Sequence, residues 1–228
     1  MDGKAPLRET VASGMLTHLE WGEERSGEGE KEKGIVLVDP FCGSGTLCIE
    51  AAMRIRDGGP GKYMTENRGF KFKGWPGFEG ADWASLLGDL GGRGGKDVGN
   101  VRILGYDRDK GVIKSAKENA EKAGVGNMIE FKQQSISELK NDFEGGEEVD
   151  GFIVTNPPWG DRVKGGAGGE LRNLWGKFGH IVKGFQGWSL GVLSVDSKMV
   201  GHMGLGKGWS KIGVTYGGKE AAIWKKII

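Results

Sequence analysis

Four short strand-like runs constrain the fold more than any other feature of the 228-residue chain: IVLVD (35–39), VRILGYD (101–107), MIEFKQ (128–133) and GFIVT (151–155), the first and last of them continuously apolar until their final residue. Unbroken apolar runs of this length suit strands that are covered on both faces. Segments with helical apolar spacing precede or separate them: 6–21, where Leu7, Val11, Met15 and Leu19 recur, then Thr46–Arg56 and Lys110–Lys122. A further helix is expected near 170–185, before the strand WSLGVLSV (188–195) and a short helix. WSKIGVTY (209–216) and EAAIWKKII (220–228) then meet across Gly217-Gly218, a hairpin signal. This alternation predicts an α/β fold, a mostly parallel sheet covered by helices with an antiparallel pair at its C-terminal end. The length suits one large domain, so residues 1–228 are expected to form a single unit with a Gly-rich insert at about 57–100.

Composition limits the function. A net charge of +1 excludes a polycation that coats nucleic acid non-specifically. The 45 glycines, against about 16 at average usage, show no collagen-like period and read as pliable loops. Two cysteines and three scattered histidines make neither a disulfide scaffold nor a metal set. They favour a reduced, intracellular and cytoplasmic setting. No run reaches membrane-span length, and MDGKAPLRET has no apolar signal core, so no membrane partner is expected.

In sheets of this kind, ligands sit beyond the carboxyl ends of the strands. The first run leads into DPFCGSGT (39–46), where Gly43 and Gly45 permit a tight turn before a helix N-terminus. The turn is neither a phosphate-binding loop, since no Lys-Ser/Thr follows, nor a dinucleotide fingerprint, since Cys48 holds the third glycine position. The second run ends at Asp107, a carboxylate able to accept from both hydroxyls of a ribose, with Asp109 as the alternative helix cap. Together the turn and the acid point to an adenosine-containing ligand.

The fourth run ends in TNPPWGDR (155–162), a stiff corner carrying an amide and an indole. It suits methyl transfer to a planar amino nitrogen, whose lone pair is delocalised into its ring. Two acceptors aimed at its N–H bonds favour pyramidal geometry. Asn156 offers its side-chain oxygen, and Pro157 a carbonyl whose direction the adjacent proline fixes. Trp159 offers a face on which the base stacks.

DPFCGSGT, GYDRD and NPPWGDR, in this order, resemble the motifs of AdoMet-dependent amino-methyltransferases. With APLRET (5–10) and GWPGFEGADW (74–83), the chain is similar to the methyltransferase domain of THUMP-containing RNA guanine-N2 methyltransferases, the bacterial 23S rRNA type above all. The resemblance implies a seven-stranded Rossmann-like sheet, S-adenosyl-L-methionine (AdoMet) as cofactor, and guanine-N2 methylation of structured rRNA or tRNA. On this chain it implies that Asp39, Phe41, Gly43 and Gly45 line the methionine half of the cofactor and that Asp107 holds the ribose. Asn156, which also borders the cofactor, would take the base together with Pro157 and Trp159. Where the family often has an acid against the adenine, this chain has Ser135, so adenine contact is expected from Ser135 or the backbone of Ile136. No THUMP domain precedes APLRET, so the resemblance implies that the RNA-gripping module is trimmed away, lost, or supplied from outside the chain as a THUMP module or small activator subunit. Arg54, Arg56, Lys62, Arg68, Lys71 and Lys73, interleaved with Tyr63, Phe70 and Phe72, are either an RNA contact or a solvated lobe. An adenine-N6 or protein glutamine methyltransferase, and a non-catalytic binding subunit, are the alternative readings.

Overall fold

The computed structural model describes residues 6–22, 33–57, 74–76, 100–143, 149–159 and 168–228. Seven strands form one sheet: β1 (Gly34–Asp39), β2 (Val101–Asp107), β3 (Ile129–Gln133), β4 (Val149–Thr155), β5 (Ser189–Ser194), β6 (Ser210–Tyr216) and β7 (Lys219–Ile227). Their order is β3-β2-β1-β4-β5-β7-β6. The first five strands pair in parallel, and β7 runs antiparallel to both β5 and β6. The helices are α1 (Glu9–His18), α2 (Thr46–Asp57), α3 (Lys110–Lys122), α4 (Gly168–Val182) and α5 (Ser197–His202). This is the seven-stranded α/β sheet with the antiparallel C-terminal hairpin expected from the strand signals.

The strand sequences explain the order. β5 is buried at every residue and the central strand β4 along its last five, which matches their unbroken apolar runs. β6, at the edge, is exposed along most of its length and carries Lys211 and Thr215. Glycine does more here than make loops. Gly151 in β4 lies directly under the Trp188 ring, and Gly179 in α4 lies against the Met203 backbone. A Cβ at either position would overlap those atoms, so both glycines set element spacing. Trp21, Trp175, Phe152 and Phe178 are fully buried within the core that results.

Because β2 and β3 lie on one side of β1 while β4 and β5 lie on the other, the strand order reverses between β1 and β4. The crevice at the carboxyl ends beside such a switch point is the usual ligand position in open α/β sheets. Asp39, Asp107 and Thr155 end the three adjacent strands β1, β2 and β4 at this crevice.

Candidate active site

The turn after β1 is held to its neighbours by main-chain and carboxylate bonds. The Cys42 N–H donates to the Tyr106 carbonyl at 2.9 Å, and the Gly43 N–H to Asp107 Oδ2 at 3.2 Å. Gly43 and Gly45 have φ of 54° and 86°, in the region that disfavours side chains. A Cβ on Gly45 would also lie 2.9 Å from Phe131 Cζ, so β3 packs directly on the turn. Asn119 on α3 donates its side-chain N–H to the Ser44 carbonyl at 3.1 Å.

Two acids lie beside the turn. Asp107 Oδ1 accepts from the Asp109 N–H at 3.0 Å. Asp109 is the residue that caps α3, accepting from Gly111 and Val112 N–H at 2.8 and 3.2 Å. The cap therefore falls to Asp109, and Asp107 remains directed at the Gly turn. Asp39 is buried, and its Oδ1 accepts from the Thr155 hydroxyl at 2.7 Å and the Phe41 N–H at 3.1 Å. Burial pushes its pKa up to about 7; the Thr155 and Phe41 bonds pull it down and the Asp107 charge pushes it up further. Neither acid has an ion-pair partner among the described residues.

Burial raises the pKa of Cys42 and Cys48, so both thiols stay protonated and unreactive. Ser135 follows β3 and forms a capping box: its Oγ accepts from the Ser137 N–H at 3.3 Å while its own N–H donates to Glu138 Oε2 at 2.8 Å. Its hydroxyl thus already serves the next short turn, which contains the buried Ile136. The Gln134 N–H donates to the Asp107 carbonyl at 2.9 Å and brings this segment to the β2 tip. Phe41 packs edge-on against Phe178, with ring centroids 5.5 Å apart.

At the end of β4, Asn156 is half-buried and Pro157 buried. The Trp175 indole N–H donates to the Pro158 carbonyl at 2.9 Å, and the Trp159 indole N–H to Asn156 Oδ1 at 2.8 Å. The Pro157 carbonyl has no partner among the described residues. Trp159 is 4% exposed, with the Tyr216 ring edge-on at 5.9 Å. The expected site residues therefore gather around three neighbouring strand ends, with Trp159 tucked under the corner. Sequence reasoning passed over Thr155, Asn119, Trp175 and Tyr216. Thr155 stands directly before Asn156, and Asn119 is a polar residue on the sheet side of an amphipathic helix; both were visible signals.

The basic cluster divides. Arg54 donates to the Thr17 hydroxyl at 2.7 Å and Arg56 to the Gly124 carbonyl at 2.6 Å, so both tie α2 to its surroundings. Lys62, Tyr63, Arg68, Phe70, Lys71, Phe72 and Lys73 lie outside the described residues, as does the acidic loop from residue 23. Among the described residues no group of three His, Cys, Asp or Glu side chains is placed to hold a metal, and no helix is long and apolar enough to cross a membrane.

Residues 1–220 match the UPF0020 family model, the RMKL-like methyltransferase domain. The chain belongs to this family. A ribosomal RNA large subunit methyltransferase K/L of Psychromonas ingrahamii is 34% identical to this RMKL-like domain over 211 residues, 91% of the chain and 26% of the relative. The domain thus spans about a quarter of the length of such curated relatives. The crystal structure of SMU.472 complexed with SAH is 25% identical with a TM-score of 0.75, covering 97% of this chain and 53% of that one. A protein from Listeria monocytogenes described as an N6-adenine-specific DNA methylase is 26% identical with a TM-score of 0.68, covering 98% of this chain and 52% of that one.

Proposed function

We propose that this RMKL-like domain transfers a methyl group from AdoMet to an exocyclic amino group of RNA, guanine N2 of large-subunit rRNA. The observation that carries the reading is the convergence of the Gly43–Gly45 turn, Asp39, Asp107 and the Asn156-Pro157 corner on three adjacent strand ends. The donor set fits the cofactor. The Asp107 charge disfavours ionised Asp39, neither acid has an ion-pair partner among the described residues, and a ligand bearing sulfonium and ammonium charges would offset that repulsion. SAH, the demethylated form of AdoMet, is bound in a structure of this fold at 25% identity.

When bound, AdoMet supplies an electrophilic methyl group carried on sulfur. The chain's own residues do the rest. Asp107 would accept from the ribose hydroxyls, and Asp39 would face the cationic end. Asn156 Oδ1, with one lone pair engaged by Trp159, turns the other toward the target amino group. The Pro157 carbonyl supplies the second acceptor. Two accepted N–H bonds localise the nitrogen lone pair, and the proton of the methylated nitrogen leaves to solvent without a strong base. Ser135 and the backbone of Ile136 would border the adenine. Structured RNA is the partner, and the resemblance to THUMP-containing enzymes supports a gripping module beyond these residues.

The acceptor class is tested by incubating the chain with methyl-tritiated AdoMet and, separately, large-subunit rRNA, duplex DNA and bacterial ribosomal protein. Label in RNA alone is the expected result. Label in DNA or protein in preference to RNA refutes the RNA assignment.

A further inference from the structure

Trp159 is placed to do something other than present a face to a base. It is 4% exposed, and its indole N–H lies 2.8 Å from Asn156 Oδ1. Tyr216 packs edge-on against its ring at 5.9 Å, and the Tyr216 hydroxyl donates to the Pro6 carbonyl at 3.2 Å. The indole is thus fixed between the corner it serves and the segment leading into α1.

The chemistry of the two groups gives this contact a direction. An indole N–H donates and never accepts, whereas a primary amide presents an acceptor on one side and two donors on the other. An Asn side chain can turn by 180° and exchange the two at little change in shape. Only one orientation satisfies the indole, the one with Oδ1 toward it. The amide oxygen has two lone pairs, and the indole occupies one. An acceptor thus stays available at the corner, where a flipped amide would present an N–H. A target amino group brings N–H bonds of its own and is turned away by an amide donor.

We propose that Trp159 is a positioning residue that fixes the Asn156 amide with Oδ1 on the indole side, so that the second lone pair of the same oxygen selects a hydrogen-bond-donating acceptor nitrogen. This rests on the amino-methylation reading of the corner. It assigns the work of Trp159 to its N–H, whereas a stacking role assigns it to the ring. Trp175 does the parallel job for the backbone, holding the Pro158 carbonyl at 2.9 Å and with it the direction of the corner.

The two roles separate in Trp159→Phe, which keeps an aromatic ring and removes the N–H. With large-subunit rRNA as substrate, the lock predicts that kcat falls about three- to tenfold, the range that one net hydrogen bond represents. KM for RNA and Kd for AdoMet stay within about twofold of wild type. In an Asn156→Ala background, Trp159→Phe should have no further effect on kcat. A Trp159→Phe enzyme with wild-type kcat, or with the whole loss in KM, overturns the lock in favour of stacking.

A second readout needs no turnover. In 15N-labelled protein, the indole N–H resonance that disappears in Trp159→Phe should shift upfield and exchange faster with solvent in Asn156→Ala. An unmoved resonance overturns the proposal. Should wild type fail to methylate RNA, the substrate reading falls and the resonance still decides the lock.

Discussion

Replacing Asp39 with Asn separates what the buried acid does for stability from what it does for ligand binding. Asparagine keeps an oxygen for the Thr155 hydroxyl and the Phe41 N–H, so the geometry at the β1 tip survives. What changes is the charge. In the folded chain the Asp39 pKa is pushed from 3.8 to about 7, with burial as the main cause. A raised carboxyl pKa means that the folded state holds its proton more tightly than the unfolded state does. Wild-type stability from this group is complete below the unfolded value of 3.8 and is lost as pH rises through about 7. At about 1.4 kcal/mol per unit, the loss above that window is on the order of 4 kcal/mol. Asp39→Asn should therefore be more stable than wild type at pH 8 without cofactor, by about 2–4 kcal/mol, with the difference shrinking to near zero at pH 4. Urea denaturation at pH 4, 6 and 8 measures this as a change in midpoint at constant slope. Glu50, whose pKa burial also raises to about 7, contributes equally to both proteins and cancels. A stability difference that does not vary with pH refutes the reasoning. The same variant should bind AdoMet more weakly, because the charge that destabilises the fold is the one proposed to face the cationic end of the cofactor.

Asp107→Ala should weaken AdoMet binding by about 1.5–3 kcal/mol, the value of hydrogen bonds to a charged group, and calorimetry showing unchanged affinity removes Asp107 from the site. Asn156→Ala should abolish most methyl transfer while leaving AdoMet affinity within a few-fold, since the proposal assigns the amide to the acceptor; near-normal turnover contradicts the mechanism. Gly45→Ala should destabilise the fold by about 2–4 kcal/mol, from a φ of 86° and a Cβ 2.9 Å from Phe131, and an unchanged urea midpoint would show that the turn relaxes freely.

Much of this architecture is legible in the chain because the central strands are buried on both faces. IVLVD and GFIVT carry a signal that needs no partner to interpret, and the Gly217-Gly218 turn marks the hairpin directly. The resemblance drawn from DPFCGSGT and NPPWGDR agrees with the family match. The glycine excess was less readable. Gly151 and Gly179 resemble loop residues in composition but are contact points, and only the positions of Trp188 and Met203 reveal it. The link between Thr155 and Asp39 joins residues 116 positions apart, so it depends on the β1–β4 pairing, which no local pattern encodes. The indole of Trp159 is similar: an aromatic after two prolines suggests stacking, whereas its N–H bonds Asn156 three residues back and its ring packs against Tyr216 from near the far end of the chain.

The central claim is that the corner after β4 places a guanine amino group in line with the methyl group of AdoMet. Mass spectrometry of nucleosides tests it most directly, using unmethylated large-subunit rRNA incubated with the chain and AdoMet carrying a deuterated methyl group. The account predicts deuterated N2-methylguanosine with wild type and its near-complete loss with Asn156→Ala. Deuterated N6-methyladenosine as the main product, or N2-methylguanosine formed equally well without Asn156, would contradict it.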